Sequence, residues 1–178
     1  IDDIEQAMSA EVKLPSGGSL IFSETPALIA IDVNTAGTSK GGHDRSSFET
    51  NLEAAAEIAR QIRLRNLSGL FVIDFVSMKS QSNKDKVQRI FKKFVSSDSE
   101  TVFVGGFTRF GLMEFTRRRG RPSLNSILSE VCEYCNGKGS SFTPITCGFR
   151  ALDRLRVECK KQTSRGMELK TSKAIAKV

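Results

Sequence analysis

The chain has 178 residues, 39% of them hydrophobic and 26% charged, a composition that suits one packed core with an appendage and excludes a disordered or fibrous polymer. No run approaches the roughly 18 consecutive apolar residues of a membrane helix, and the acidic opening IDDIEQAMSA lacks the basic-then-apolar order of a signal peptide, so the cytoplasm is the expected compartment. Residues 1–106 hold 12 Lys and Arg against 14 Asp and Glu, whereas residues 107–178 hold 15 against 6, an excess that is either the footprint of a polyanion such as RNA or an ordinary basic tail.

In chain order, Ile4, Ala7, Met8 and Val12 have helical spacing. Pro15 and the Gly17-Gly18 pair end that helix, and SLIFSE and ALIAIDVN then read as two strands of a hairpin turning at Thr25-Pro26. TAGTSKGGHDR is a polar, glycine-rich loop. Ser46 with Glu49 has the form of a capping box, which predicts a helix over about 47–66. Phe48, Leu52, Ala55, Ala59 and Ile62 fall on its packed face, with Glu53, Glu57 and Arg60 opposite. After Ser68-Gly69, LFVIDFV is a buried strand. A helix around 82–96 turns Val87, Ile90, Phe91 and Phe94 inward, and TVFVGGF is a further strand. This alternation predicts an α/β (α+β) fold, a mixed β-sheet covered by helices.

Two of these strands, LIAID and LFVID, end in an acid. If they are neighbours in the sheet, Asp32 and Asp74 share a pocket. Paired carboxylates repel and are costly to desolvate without a cation between them, and their hard oxygens suit Mg²⁺. The alternative is that each acid merely caps a helix or turn.

Four cysteines, two of them in CEYCNGKG, point to a metal site rather than a disulfide framework. Cys132 and Cys135 followed by two glycines have the form of a zinc knuckle. A tetrahedral Zn²⁺ needs four ligands. Either Cys147 and Cys159 complete it, or two copies of the chain share one ion; outside such a site those two cysteines are expected to be buried thiols. His43, the single histidine, sits in the glycine loop and is assigned no role. Phe107 and Phe110 could stack on bases, but with twelve Phe, one Tyr and no Trp they are expected in the core. RRRGR, residues 117–121, either follows a nucleic-acid backbone or is a solvated run.

The stretches LPSGGSLIFSETPALIAIDVNTAG, TNLEAAAEIARQIRLRNLSGLFVIDFVSM, RFGLMEFTRRR and CEYCNGKG together resemble the catalytic region of the ribonuclease E/G family, nearly without gaps from about residue 4 to residue 139. The resemblance implies a deoxyribonuclease-I-like catalytic subdomain over 1–130, a zinc-link knuckle over 131–140 and a basic, partly helical tail over 141–178. It implies Mg²⁺ on Asp32 and Asp74 with Asn34 positioning the phosphate or water, and cleavage of single-stranded RNA that leaves a 5′-phosphate and a 3′-hydroxyl. Lys40, Arg109, Arg117 and Arg119 are the expected phosphate contacts, with solvated surface cations as the alternative. The resemblance also favours a homodimer linked by one structural Zn²⁺ through Cys132 and Cys135, with higher oligomers left open, although Glu133-Tyr134 stands where the family usually has Pro-Arg. Full members carry S1, ribonuclease-H-like and 5′-end-sensing parts ahead of this region, so a fragment or reduced product is expected. Two functions follow as alternatives, a metal-dependent endoribonuclease core or a non-catalytic, zinc-linked RNA-binding or assembly module.

Overall fold

The structure, a computed structural model, describes residues 2–36, 43–161 and 168–176. They form two compact units, Ile1–Ser129 and Glu130–Val178.

The first unit is built on six strands: β1 (Glu11–Lys13), β2 (Ser19–Glu24), β3 (Ile29–Asn34), β4 (Gly69–Asp74), β5 (Val102–Phe107) and β6 (Met113–Arg117). They lie in the order β1-β2-β3-β4-β6-β5. Among the described strands β3 and β4 are the one neighbouring pair that runs parallel; the helical crossover between them returns the chain to the same end of the sheet, whereas β6 lies between β4 and β5, the two strands joined by the other long connection. That crossover contains α2 (His43–Leu64). The sheet is therefore mixed.

Alternation puts Leu20, Phe22, Ile31, Val33, Phe71, Ile73, Met113 and Phe115 on one buried face. Ala54, Ala55, Ile58, Ala59 and Ile62 of α2 pack there, beside Val87, Phe91 and Val95 of α3 (Gln81–Val95). Phe115 sits at the centre, stacked on Phe71 at 4.4 Å and met edge-on by Phe91 at 5.0 Å. The helices cover only this face. On the other, Ile21, Asp32, Leu70, Asp74, Phe103 and Glu114 are all exposed.

Several elements differ from the sequence reading. The first helix, α1 (Asp2–Met8), stops before Val12; that residue is buried in β1, where Glu11 and Lys13 alternate outward and the register pairs it with Leu20. α2 begins at His43, so Ser46 lies inside the helix rather than at its cap, and Glu49 pairs with Arg45 one turn back at 3.0 Å. On α2, Leu52 is only half-buried, Glu53 and Glu57 are half-buried rather than exposed, and Asn51 and Gln61 are buried. On α3 it is Val95, not Phe94, that turns inward. The strand β6 had no counterpart in the sequence reading, since its third inward position is an arginine.

A short helix, α4 (Leu124–Leu128), follows β6 with Ser123 as its N-cap. The second unit contains α5 (Pro144–Lys161) and α6 (Lys173–Ala176). Among the described residues no helix is long and apolar enough to cross a membrane.

Candidate functional site

The parallel register sets Asp32 directly opposite Asp74. Nearest strands in a sheet lie about 4.8 Å apart and facing residues point the same way, so the two acids stand side by side on the open face. Their neighbours Ile31, Val33 and Ile73 bury the other face and hold the register; a slip of one residue would turn the acids into the core. Asn34, two residues on, shares that face, and its Nδ2 donates to Asp32 Oδ2 at 2.9 Å. Among the described residues neither acid takes part in an ion pair. Like charges directly opposite each other destabilise a strand pair. Two exposed, unneutralised carboxylates with an amide beside them make a hard-oxygen donor set that fits Mg²⁺.

The chain just beyond Asp74 is held by a residue from α2. Asn51, fully buried, accepts from the Val76 N–H at 3.0 Å and donates to the Val76 carbonyl at 2.8 Å, replacing the ladder that β4 has left. At the same end of the sheet, Phe107 of β5 pairs with Met113 of β6, and Met113 lies against Ile73. The turn between them is closed by the Thr108 N–H donating to the Leu112 carbonyl at 2.7 Å and the Gly111 N–H to the Thr108 carbonyl at 3.0 Å. Gly111 takes the left-handed φ of +87° that this turn requires. Arg109 is exposed on it.

The expected phosphate contacts are not brought together. β6 runs antiparallel to β4, so Arg117 pairs with Gly69, at the opposite end from Asp74. Gly69 and Asp74 are five steps apart along the strand, roughly 17 Å. Arg117 is 4% exposed; its guanidinium donates to both oxygens of Asp98, to Asn66 Oδ1 and to the Leu67 carbonyl. Its role as a surface phosphate contact is therefore corrected: the cation is committed to the core. Arg119 is exposed and lines a cleft with Glu24, Ile29 and Leu67, also at the far end. Lys40 and the side chain of His43 lie outside the described residues. Of the four cations, Arg109 is the described one at the end where the acids lie.

In the second unit the knuckle folds tightly. Asn136, Gly137 and Gly139 all have left-handed φ, and the Asn136 N–H donates to the Cys132 carbonyl at 2.7 Å. The Gly139 amide above all, then the Cys132 thiol and the amides of Gly137 and Lys138, lower the Cys135 pKa below the ordinary thiol value and outweigh the opposing effect of burial. Amides aimed at sulfur favour the thiolate, the form that binds Zn²⁺. Among the described residues no third Cys, His, Asp or Glu joins Cys132 and Cys135 in a group that could hold a metal ion; the pair offers two of the four donors that a tetrahedral Zn²⁺ would need. The expectation that Cys147 and Cys159 are buried is overturned: Cys147 is half-buried and Cys159 exposed on α5, because neither belongs to a face that anything deep packs on.

Two contributors went unread in the sequence, Asn51 and Asp98. Asn51 sits on the inner side of α2 between Thr50 and Ala54, all three buried; a polar side chain amid a packed stripe was the available signal. Asp98 carries no local signal, since its partner lies 19 residues away.

Comparison with known proteins then gives the following likenesses. The profile of the Ribonuclease E/G family matches residues 1–120. Ribonuclease E of Escherichia coli K12 is 45% identical over 138 residues, 77% of this chain and 13% of that protein. Ribonuclease G of the same strain is 39% identical over 142 residues, 78% of this chain and 29% of its own length, and a chloroplastic ribonuclease E/G-like protein of Arabidopsis thaliana is 42% identical over 147 residues, 78% and 14%. The chain thus spans less than a third of the length of these curated relatives.

Proposed function

We propose that this chain, which belongs to the ribonuclease E/G family, carries the Mg²⁺-binding core of an endoribonuclease that hydrolyses single-stranded RNA. The observation that supports the reading is the register of Asp32 against Asp74 at the only parallel step of the sheet. Asp32 and Asp74 would hold the ion; when bound, Mg²⁺ supplies charge neutralisation at a non-bridging phosphate oxygen, at the attacking water and at the leaving oxygen. Asn34 spends one amide hydrogen on Asp32 and so keeps that carboxylate turned. Its second amide hydrogen and its carbonyl oxygen are left for a phosphate oxygen or a water. Water adds to phosphorus as the bond to the 3′-oxygen breaks, leaving a 5′-phosphate and a 3′-hydroxyl.

The same proposal gives Cys132 and Cys135 one structural Zn²⁺ shared by two copies of the chain, and a cytoplasmic location. The deciding experiment is cleavage of a 5′-monophosphorylated single strand by the intact chain with and without Mg²⁺. Cleavage that requires Mg²⁺ and falls by about a hundredfold or more in Asp74→Asn supports the reading; cleavage indifferent to Asp74 refutes it. Wild type that is inert yet retains RNA would favour a second reading, namely a zinc-linked RNA-binding or assembly module.

A further inference from the structure

Phe110 was expected in the core, and it is 89% exposed. The turn that carries it is tied by two backbone hydrogen bonds and a left-handed glycine, so the ring is held outward by a short rigid loop. Its neighbour Phe107 does pack on the core, tilted against Phe75 at 5.8 Å. Between Phe110 and the end of β4 lies a cavity of about 90 Å³, lined among others by Asp74, Val76, Met78, Lys84 and Phe107. One wall is thus an acid of the metal pair, another an aromatic ring, and a third a lysine. Lys84 is half-buried, and among the described residues it takes part in no ion pair.

We infer that this cleft is a nucleotide subsite, in which the base of the nucleotide next to the cleaved phosphodiester stacks on Phe110 and its phosphate meets Lys84. The inference rests on the endoribonuclease reading of the Asp32–Asp74 pair. Chemistry selects the ligand class. An exposed ring stacks on any base, and an ammonium group lining the same cleft as Asp74 offsets the repulsion that would otherwise keep a phosphodiester from approaching that acid. Val76, which lines the cleft, is pinned through its backbone by Asn51, so the cleft is preformed on that side.

The chain has no tryptophan, so Phe110→Trp introduces the sole indole at the rim of the cleft. Titration of that variant, as the full chain in Mg²⁺, with uridine 5′-monophosphate and with a short oligouridylate should quench the indole saturably, and adding Lys84→Gln should raise the concentration required several-fold. Phe110→Ala should weaken oligouridylate binding by about fivefold to a hundredfold, with Phe110→Trp restoring it. An indole that stays unquenched at concentrations where a labelled oligouridylate is bound by anisotropy, or failure of that RNA to bind at all, overturns the subsite. The two readings fail separately. Cleavage that depends on Asp74 but not on Phe110, with no quenching, removes the subsite alone; saturable quenching with cleavage indifferent to Asp74 removes the role of the acid pair and leaves the nucleotide cleft.

Discussion

Arg117 and Asp98 form a buried, two-pronged ion pair, with Nε and Nη2 of the arginine each donating at 2.9 Å to a different oxygen of the acid. Their side chains are 3% and 0% exposed. The pair fastens the segment after α3 to the end of β6. Asp98→Asn should cost about 3–5 kcal/mol at neutral pH, as removal of one partner strands the other charge, measurable by urea unfolding.

The same pair gives an acid limb to stability. Burial raises the Asp98 carboxyl, but hydrogen bonds from Arg117 and the Glu100 amide, with the charges of Arg117 and Arg63, outweigh it and hold the pKa below the ordinary value. A folded pKa below the unfolded one stabilises at pH above the unfolded value of about 3.9, and that contribution disappears as pH falls through the folded pKa. Wild type should therefore lose stability more steeply than Asp98→Asn below about pH 4, and parallel curves for the two would refute the assignment.

Asn51 makes both of its hydrogen bonds to Val76. Asn51→Leu leaves a buried N–H and carbonyl without partners and should destabilise the chain by about 2–4 kcal/mol. Because the released segment follows Asp74, nucleolytic rate should fall further than the unfolded fraction explains. A loss of activity that matches the loss of folded protein would make Asn51 structural only.

With Mg²⁺ on Asp32 and Asp74 as proposed, stability and metal binding would oppose each other in the acid pair. Asp32→Asn relieves a like-charge cross-strand pair and should raise metal-free stability by a few tenths to about 1 kcal/mol, while abolishing the rise in melting temperature that Mg²⁺ gives wild type. An equal response of both proteins to Mg²⁺ would place the ion elsewhere.

For the knuckle, elemental analysis should find near half a zinc per chain, with chelation or Cys135→Ser converting dimer to monomer while the first unit stays folded. One zinc per chain in a monomer would contradict sharing.

What could be read in advance depended on whether the signal was local. β3 and β4 were legible because Ile29, Ile31 and Val33, and Phe71 and Ile73, alternate with outward residues over a short run. That Asp32 and Asp74 come together was legible on the condition that their strands are neighbours, and the register meets that condition. β6 hid behind Arg117, an inward cation whose partner, Asp98, belongs to another loop. The helix start misled for a different reason: Ser46 and Glu49 have capping-box spacing, but α2 extends back to His43 and Glu49 is used by Arg45 instead. Phe110 was misplaced by composition, which counts aromatics without seeing the five-residue turn that holds one of them outward.

The order of strands along the chain also bears on how the acid pair comes into being. β2 with β3 and β5 with β6 are hairpins, closed by short loops and formed early at small entropic cost. β3 and β4 meet only after α2 has crossed the sheet, a non-local closure of the kind that slows folding. A folding intermediate that contains both hairpins still holds Asp32 and Asp74 apart. The proposed Mg²⁺ site would therefore assemble late, and the rate at which Mg²⁺-dependent signals recover on refolding would time the closing of the parallel β3–β4 step.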